Sequence, residues 1–351
     1  MERKFSLTLS GGAQTTVSFV KGLEELTDAL SSYQDNVFCV FDENSARLLS
    51  SIPEKSIVLP SGEVNKNIGS LEKIIGKALS CGSARDTRFI GFGGGVICDM
   101  AALASSLYMR GAKLTLVPTT LLCMVDASVG GKTAIDYLGG KNLVGTFYPA
   151  QEVLISTATL ETLDGKEFMC GLGEVVKHAF LTEDGSLFDF LKDNRDRIMR
   201  REGDLLEEVV YDSLRVKCSY IERDPLEKKG IRSFLNLGHT FAHALESMKG
   251  YAISHGEAVA WGVGRALEAS YLMKSLDKSA YESGLSLLED YGYDVSYRIE
   301  PSSWTLFESA LGKDKKKSGG RVKFVLLEGL GKPYLSPLDE ETVRSIVVEG
   351  A

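Results

Sequence analysis

The amino-acid sequence predicts an α/β N-terminal domain with a mostly parallel sheet, followed by a mainly α-helical C-terminal domain. In the first 158 residues, short apolar runs alternate with segments of helical periodicity, an order typical of a parallel sheet with helices on both faces. From about Leu160, apolar residues recur at the helical spacing of about 3.6. We therefore predict domains at 1–158 and 159–351, with the active site in the cleft between them.

Composition and charge limit the class of protein. With 351 residues, 44% hydrophobic and 25% charged, the chain is typical of soluble globular proteins and long enough for two cores. A net charge of −8 argues against a nucleic-acid partner, although local clusters of Lys and Arg can bind an anionic small molecule. We recognise no signal peptide and no membrane-spanning run, and the six cysteines form no CxxC pair. We therefore expect a cytoplasmic protein with reduced thiols and no membrane partner.

Apolar periodicity assigns the individual elements. Six segments of the first domain are predicted strands, the first two as a hairpin: KFSLTLS, TTVSFV, NVFCVFD, KSIVLP, RFIGFGGG and KLTLVPTT. Helices are predicted from Glu43, over GSLEKIIGKALSCG and over DMAALASSLYMRG. The predicted helices of the second domain are GDLLEEVVYDSLRVKCSYIE, GHTFAHALESM, GEAVAWGVGRALEASYLM and SAYESGLSLLEDY. The charge run KDKKKSGGR is predicted to be a solvated turn before the strand VKFVLLE.

The stretch VDASVGGKTAID resembles the end of a phosphate-binding P-loop, but one required residue is wrong. That motif needs a Gly, four residues and then Gly-Lys-Ser/Thr. Counting back from Gly131-Lys132-Thr133 places Asp126 at the position of the first Gly. A carboxylate there would repel the phosphates, which excludes a P-loop nucleotide hydrolase.

A glycine-rich turn lies between a predicted strand and a predicted helix at Gly93–Gly95. Glycine allows the backbone to approach a phosphate, and a helix N-terminus offers free N–H groups. The turn is not GxGxxG, since Cys98 occupies the third glycine position. Dinucleotide binding is favoured, with a tight strand–helix turn as the alternative. Asp42, at the end of an earlier strand, is a candidate acceptor for a ribose diol.

All four histidines lie between His178 and His255. Spacing alone favours His239 with His243, which share a helix face as i and i+4. With His255 and Glu174 they offer the nitrogen and oxygen ligands that zinc takes in proteins. The alternative is a set of structural histidines in the core.

Cationic side chains form a third group, and several stand beside Gly or among apolar residues. Its members are Lys132, Lys141, Lys177, Lys217, Arg232 and the run Lys315–Lys317. Charge-assisted hydrogen bonds contribute about 1.5–3 kcal/mol each. Together with a metal site and a nucleotide loop, these cations indicate a phosphorylated substrate.

Seven ordered motifs resemble those of the 3-dehydroquinate synthase family, sugar-phosphate cyclases of the shikimate pathway. They are SGEVNK, GGGVICDMA, YMRGAKLTLVPTTLLCMVDASVGGKTAID, GKNLVGTFYPAQEV, GLGEVVKHAFL, GIRSFLNLGHTFAHALE and SHGEAVAWG. The resemblance implies a lyase that converts 3-deoxy-arabino-heptulosonate 7-phosphate, a phosphorylated keto acid, to 3-dehydroquinate and phosphate. The implied steps are transient oxidation by NAD, phosphate elimination, re-reduction and intramolecular aldol closure.

The resemblance also implies a role for each matching residue. Zinc or cobalt would be held by Glu174, His239 and His255, which moves His243 from the metal to the substrate phosphate. NAD contacts are implied for Asp42, Glu63, Lys66, Gly94, Gly95, Asp99, Thr119, Thr120, Lys132, Lys141 and Thr162. Substrate contacts are implied for Asp126, Lys132, Lys141, Asn142, Lys177, Lys217, Arg232, Asn236, His243 and Lys315, with Lys316 as the alternative to Lys315. Arg110 would reach the site of a neighbouring subunit, which implies a homodimer.

Four departures and three rival functions accompany the resemblance. His178 stands where Tyr is common, Ala242 replaces a frequent Gly, Ala102-Leu103 replaces a Gly-Phe, and the segment around Pro225 is one residue longer than usual. The rivals are a sister cyclase acting on sedoheptulose 7-phosphate, a metal- and NAD-dependent polyol dehydrogenase, and a catalytically inactive binding protein. A cyclase whose substrate lacks a carboxylate would not need both Lys217 and Arg232, which favours the synthase.

Overall fold

The computed structural model describes residues 3–33, 36–317 and 322–350, with the backbone alone for Ser10 and 313–317. The chain forms two compact units. Unit 1 consists of Met1–Phe168 and Gly203–Leu214, and unit 2 of Met169–Glu202 and Arg215–Ala351. The division into domains at residue 158 stays a prediction from the sequence.

Unit 1 is built on a seven-stranded sheet. Its strands are β1 (Lys4–Thr8), β2 (Gln14–Phe19), β3 (Val37–Asp42), β4 (Ser56–Leu59), β5 (Arg88–Gly93), β6 (Lys113–Pro118) and β9 (Glu152–Ile155), in the order β1-β2-β9-β6-β5-β3-β4. All neighbouring strands are parallel except β1 and β2, which form the predicted hairpin. A separate hairpin joins β7 (Lys132–Tyr137) to β8 (Gly140–Phe147). The predicted α/β class with a mostly parallel sheet is confirmed.

Helices cover this sheet because its strands are apolar on both faces. They are α1 (Gly22–Ser31), α2 (Ile68–Ser80), α3 (Gly95–Leu107) and the first part of α6 (Gly203–Arg223). Helix α3 lies directly on β5, where a Cβ on Gly91 would come within 2.7 Å of Ala101 Cβ. A glycine at this position therefore allows the close approach that places the N-terminus of α3 beside the end of β5.

The helix predicted from Glu43 is wrong, since only one 3₁₀ turn forms, at Ser45–Leu48. Asp42 Oδ1 accepts hydrogen bonds from the backbone N–H of Asn44, at 3.1 Å, and of Ser45, at 2.7 Å. These contacts cap the start of a turn, but the turn ends at Leu48 without continuing into a helix. After Leu48 the chain is extended again and continues towards β4.

Unit 2 is mainly helical, as predicted. It contains most of α4 (Gly165–Leu181), α5 (Ser186–Met199), the rest of α6, α7 (His239–Met248), α8 (His255–Leu272), α9 (Lys278–Asp290), α10 (Trp304–Lys317) and α11 (Glu340–Val347). Strands β10 (Lys323–Leu327) and β11 (Pro333–Pro337) pair antiparallel. The turn predicted over KDKKKSGGR is wrong for 313–317, which continue α10 because Lys is a good helix former. Residues 318–321 of that run lie outside the described residues.

Three helices of unit 2 cross with their backbones in contact. A Cβ on Gly256 of α8 would lie 2.0 Å from the carbonyl oxygen of Cys170 in α4. A Cβ on Gly262 of α8 would lie 2.2 Å from the carbonyl oxygen of Gly238, which precedes α7. These glycines bring α4, α7 and α8 together at one place. Among the described residues, no helix has the length and apolar character needed to cross a membrane.

Candidate active site

Where α4, α7 and α8 meet, three potential metal ligands converge. Glu174 lies within α4, whereas His239 and His255 are the first residues of α7 and α8. Glu174 Oε1 lies 3.4 Å from His239 Nε2 and 3.4 Å from His255 Nε2. One donor atom from each of the three residues lies within 4.8 Å of the others. A single ion with ligand distances of about 2.0–2.2 Å could bridge such donors.

The hydrogen bonds around these donors fit a divalent cation. Glu174 is completely buried, and its Oε1 has no hydrogen-bond partner among the described residues, while Oε2 accepts from the Lys177 ammonium. His239 Nδ1 lies 3.3 Å from the Leu237 carbonyl oxygen, and His255 Nδ1 lies 3.2 Å from Glu246 Oε1. Both of these oxygens only accept, so each Nδ1 carries a proton, and Nε2, the nitrogen nearer Glu174, is the atom that a metal would take from the neutral ring. An orphaned carboxylate oxygen facing two such nitrogens is a suitable donor set for zinc or cobalt.

Burial and charge set the protonation of this cluster. Burial acts to raise the pKa of Glu174, but the Lys177 ammonium and the two imidazoles hold it well below its ordinary value. Burial, together with Lys177, lowers the pKa of His239 to about 3. For His255, burial acts to lower the pKa, but hydrogen bonds to Glu174 and Glu246 outweigh it and raise the pKa to about 10. A divalent ion would therefore displace a proton from His255.

Three predicted substrate-binding cations of unit 2 are buried. Lys177 on α4, Lys217 on α6 and Arg232 have exposed fractions of 2%, 6% and 5%. Lys and Arg are rarely buried unless paired; Lys177 is bound to Glu174, and Arg232 Nε lies 3.2 Å from Glu227 Oε1. Buried cations are a local source of positive potential in an acidic chain.

The remaining predicted residues of unit 2 are less enclosed. His243 and Asn236 are exposed, and the His243 ring centroid lies 5.4 Å from that of His239 and 6.4 Å from that of His255. His243 therefore stands beside the donor set, but outside the group of atoms that could share an ion with Glu174. The side chains of Lys315 and Lys316 lie outside the described residues, so the choice between them stays open.

A buried carboxylate that the sequence analysis missed shapes the loop before Arg232. Asp224 Oδ1 accepts from the backbone N–H of Lys228, at 2.8 Å, and of Lys229, at 3.1 Å. Its Oδ2 accepts from Ile231, at 3.0 Å, and Arg232, at 3.3 Å. Burial acts to raise the pKa of Asp224, but these four backbone N–H groups lower it. The loop that carries Arg232 is thus wound around one carboxylate.

In unit 1, the predicted nucleotide loop follows β5. Gly94 is the N-cap of α3, and Gly95 is its first residue. Strand β3 pairs with β4 on one side and with β5 on the other, so the strand order reverses at β3 and β5. Ligands of open α/β sheets bind at the carboxyl ends of strands at such a point. Asp42 is the last residue of β3, and its Oδ1 accepts hydrogen bonds from the backbone N–H groups of Asn44 and Ser45.

Beside this loop, a network joins two predicted NAD contacts to a predicted substrate contact. The buried Lys66 Nζ lies 2.7 Å from Asp99 Oδ2 and donates to Asn142 Oδ1 at 2.6 Å. Burial raises the pKa of Asp99 to about 6, although Lys66 opposes the shift. Asn142 has a φ of +54°, and its N–H donates to Asp136 Oδ1 at 2.8 Å. The backbone N–H of Asp136 donates to Lys66 O at 2.8 Å, which completes the network.

The other predicted residues of unit 1 differ in exposure. Asp126 lies in a π-helical turn, Cys123–Ala127, a rare geometry often found at functional sites. Thr119 is buried, and Thr120 Oγ1 accepts from the Cys123 N–H at 3.2 Å. The exposed residues are Glu63, Arg110, Lys132, Lys141 and Thr162. For these residues the predicted ligand roles stay predictions.

Three acidic residues with structural roles around the predicted site were missed: Asp136, Asp224 and Glu246. The sequence carried a signal for Glu246, because His239, His243 and Glu246 follow at i, i+4 and i+7 on one helix face. Asp136 and Asp224 bind backbone N–H groups of the following loops, and their partners depend on loop conformation. No spacing rule would have identified them.

Comparison with known proteins identifies the family. Residues 56–170 match the family model described as 3-dehydroquinate synthase N-terminal, and residues 171–317 match 3-dehydroquinate synthase C-terminal. A 3-dehydroquinate synthase of Acidithiobacillus ferrooxidans is 39% identical over 304 residues, which cover 86% of this chain and 82% of that protein.

Two solved structures share the fold. A 2-epi-5-epi-valiolone synthase from Streptomyces hygroscopicus subsp. jinggangensis, with NAD⁺ and Zn²⁺ bound, has a TM-score of 0.82 and 22% identity, covering 93% of this chain and 94% of that one. A 2-deoxy-scyllo-inosose synthase, complexed with carbaglucose-6-phosphate, NAD⁺ and Co²⁺, has a TM-score of 0.79 and 23% identity, covering 99% and 100% of the two chains. At this identity they show the fold alone. The two family matches and the relative at 39% identity establish that the chain belongs to the 3-dehydroquinate synthase family.

Proposed function

We propose that this chain is a 3-dehydroquinate synthase, which converts 3-deoxy-arabino-heptulosonate 7-phosphate to 3-dehydroquinate and phosphate. Its family membership supports the reaction. The main structural support is the donor set Glu174, His239 and His255. Lys177 is bound to the Glu174 carboxylate of this set. This arrangement combines metal ligands and a buried cation, as expected for chemistry on an anionic polyol.

The cofactors we propose are NAD and one divalent metal ion, zinc or cobalt. A bound ion would acidify a substrate hydroxyl, and NAD would accept a hydride and later return it. Glu174, His239 and His255 would hold the metal. The NAD⁺ and the Zn²⁺ or Co²⁺ bound to the two structural neighbours are consistent with this choice.

The residues of unit 2 would bind and orient the substrate. Lys177, fixed by Glu174, places an ammonium group beside the metal ligands. Lys217 and Arg232 offer buried cations for the carboxylate and phosphate, where charge-assisted bonds are strong. We assign Asn236, His243 and either Lys315 or Lys316 to the same substrate.

The residues of unit 1 would bind NAD and complete the substrate contacts. The N-terminus of α3 offers free N–H groups at Gly94 and Gly95 for the pyrophosphate. The NAD contacts we propose are Asp42, Glu63, Lys66, Gly94, Gly95, Asp99, Thr119, Thr120, Lys132, Lys141 and Thr162. The substrate contacts we propose in this unit are Asp126, Lys132, Lys141 and Asn142.

We also propose that the protein is a cytoplasmic homodimer, in which Arg110 acts in the partner's site. Arg110 is exposed, has a φ of +68° and stands between the exposed Met109 and Gly111. A non-glycine residue in this backbone region is uncommon and needs support from its surroundings. An exposed cation beside exposed apolar side chains, such as Leu107 at 55%, suits an interface between subunits.

The proposed reaction is tested by following phosphate release and absorbance of NADH together, with NAD and the heptulosonate phosphate present. We expect phosphate without net NADH, because the hydride is returned within each turnover. A chelator should abolish phosphate release, and zinc or cobalt should restore it, since the Glu174 site loses its ion.

Three results would contradict this assignment. Stoichiometric NADH without phosphate would indicate a polyol dehydrogenase. Turnover of sedoheptulose 7-phosphate, but not of the heptulosonate phosphate, would indicate a sister cyclase. Activity that survives complete metal removal would exclude the metal-dependent reaction.

A further inference from the structure

Helix α7 carries a carboxylate beside the candidate metal ligands that belongs neither to the donor set nor to the predicted substrate contacts. Glu246 lies seven residues after His239 and so shares its helix face. Glu246 is only 7% exposed. Glu246 Oε1 lies 3.2 Å from His255 Nδ1, on the ring edge opposite the Nε2 that faces Glu174.

His255 depends on this contact more than the other two ligands depend on theirs. Its side chain is 32% exposed, compared with 14% for His239 and 0% for Glu174. Like His239 in α7, it is the first residue of its helix and has no preceding helical turn that would restrict its rotamer, so the greater exposure of its ring is what distinguishes it. Packing alone therefore leaves the His255 ring less constrained, and the hydrogen bond to Glu246 supplies the missing restraint.

We propose that Glu246 is a positioning residue for the metal centre. Its carboxylate accepts the Nδ1–H of His255, which fixes the tautomer and turns Nε2 towards Glu174 Oε1. A carboxylate behind an imidazole also increases the donor strength of the opposite nitrogen. His239 has only a neutral carbonyl in the equivalent place, at Leu237. The two imidazoles are thus unequal ligands, with His255 strengthened by a charge and His239 by a backbone dipole. This inference rests on the metal site of the proposed function.

Titration of metal-free protein with Co²⁺, followed by its visible ligand-field absorption, tests the proposal without any turnover. We expect Glu246→Ala to weaken Co²⁺ binding by about 10–100-fold, the usual effect of removing such a partner. The Co²⁺ affinity of Glu246→Gln should lie between that of the unaltered chain and that of Glu246→Ala, because the amide oxygen still accepts the Nδ1–H but lacks the charge. The absorption of the Co²⁺ complex should also change in Glu246→Ala, since the ring is released.

Glu257→Gln is the matched control. Glu257 lies in the first turn of α8, and its carboxylate accepts from the Ser254 backbone N–H, at 3.1 Å, as part of a capping box that Gln also forms. The substitution removes an equal charge close to His255, on α8 instead of α7, and leaves the contact between Glu246 and the His255 ring in place. We expect unchanged Co²⁺ affinity and absorption.

Three outcomes would overturn the proposal. Unchanged affinity and absorption in both Glu246 variants would show that Glu246 does not position His255; Glu246→Gln decides the question should Glu246→Ala fail to fold. Equal losses in Glu246→Gln and Glu257→Gln would show a general charge effect instead. Absence of Co²⁺ binding in the unaltered chain would overturn the metal site itself, and the inference with it. Failure of the metal site is thus distinguishable from failure of the role assigned to Glu246.

Discussion

At the scale of single residues, the candidate site is defined by how Glu174 uses its two oxygens. Oε2 is bound by the Lys177 ammonium, while Oε1 faces the two imidazoles. A buried carboxylate needs a counter-charge, because transfer of an unpaired charge from water is costly. Lys177 supplies that charge. A divalent ion on Oε1 would provide a second one.

Lys177→Met should therefore affect stability differently with and without metal. Without metal we expect the free energy of unfolding to fall by about 3–5 kcal/mol, the usual effect of breaking a buried ion pair. With saturating zinc most of this loss should disappear, because the ion replaces the ammonium as the partner of Glu174. Turnover should remain at least about 100-fold lower, since the proposed substrate contact is gone. Thermal unfolding with chelator or with zinc measures the first two effects.

Lys166→Met provides the control for this experiment. Lys166 is exposed in the first turn of the same helix, so its replacement should change stability by less than about 0.5 kcal/mol in either condition. An equal loss of stability by Lys177→Met with and without zinc would contradict the shared role of Glu174.

At the scale of elements, periodicity predicted most of the long helices and six of the seven strands of the main sheet, all except β9. It did not predict the hairpin of β7 and β8, because β8 is exposed along almost its whole length and neither strand alternates regularly between apolar and polar residues. It also predicted a helix after Glu43, where the chain forms only the 3₁₀ turn Ser45–Leu48. The candidate donor set Glu174, His239 and His255 was separated from His243 only through the family resemblance, because i, i+4 spacing favoured His239 with His243. The partner of His239 in space, His255, comes from another helix, and no local spacing encodes that contact.

The crossing of α4 and α8 should be intolerant of any side chain at Gly256. In Gly256→Ala the new Cβ would lie 2.0 Å from Cys170 O, and neither backbone can yield without moving its helix. We expect a loss of about 1–3 kcal/mol or more in stability. Because His255 and Glu174 stand on these two helices, Co²⁺ affinity should fall as well. Urea unfolding and Co²⁺ titration measure the two effects.

Gly312→Ala is a matched substitution in α10 of the same unit. A Cβ on Gly312 would meet nothing within 4 Å, so alanine should leave stability unchanged or raise it by up to about 1 kcal/mol. Equal effects of the two substitutions would show that the helix crossing does not limit residue size.

At the scale of the whole molecule, the proposed homodimer predicts complementation between two inactive variants. Arg110→Ala removes the cation offered to the partner, and His255→Ala removes a metal ligand of the chain's own site. In a mixed dimer, the chain with intact His255 receives Arg110 from the other chain. Co-expression of the two variants should restore about a quarter of the activity, because half of random pairings are mixed and each has one complete site.

The activity of the co-expressed variants is compared with the activity of each variant alone. The oligomeric state of the protein in solution is measured separately. Residual activity no higher than that of either variant would exclude an Arg110 that acts across subunits. A monomer with full activity would exclude the dimer as a requirement.

The carboxylate of Asp224 has a consequence for how this protein can diverge. It binds main-chain N–H groups, so the path of the loop before Arg232 is set by atoms that every residue except proline possesses. The side chain of Leu226 is 46% exposed, and Gly230 has a φ of +78° that favours glycine. With Asp224 and Gly230 kept, the outward-facing positions of this loop are available to mutation and selection while Arg232 keeps its place. Substitutions at these neighbouring positions would therefore leave Arg232, a proposed substrate contact, in place.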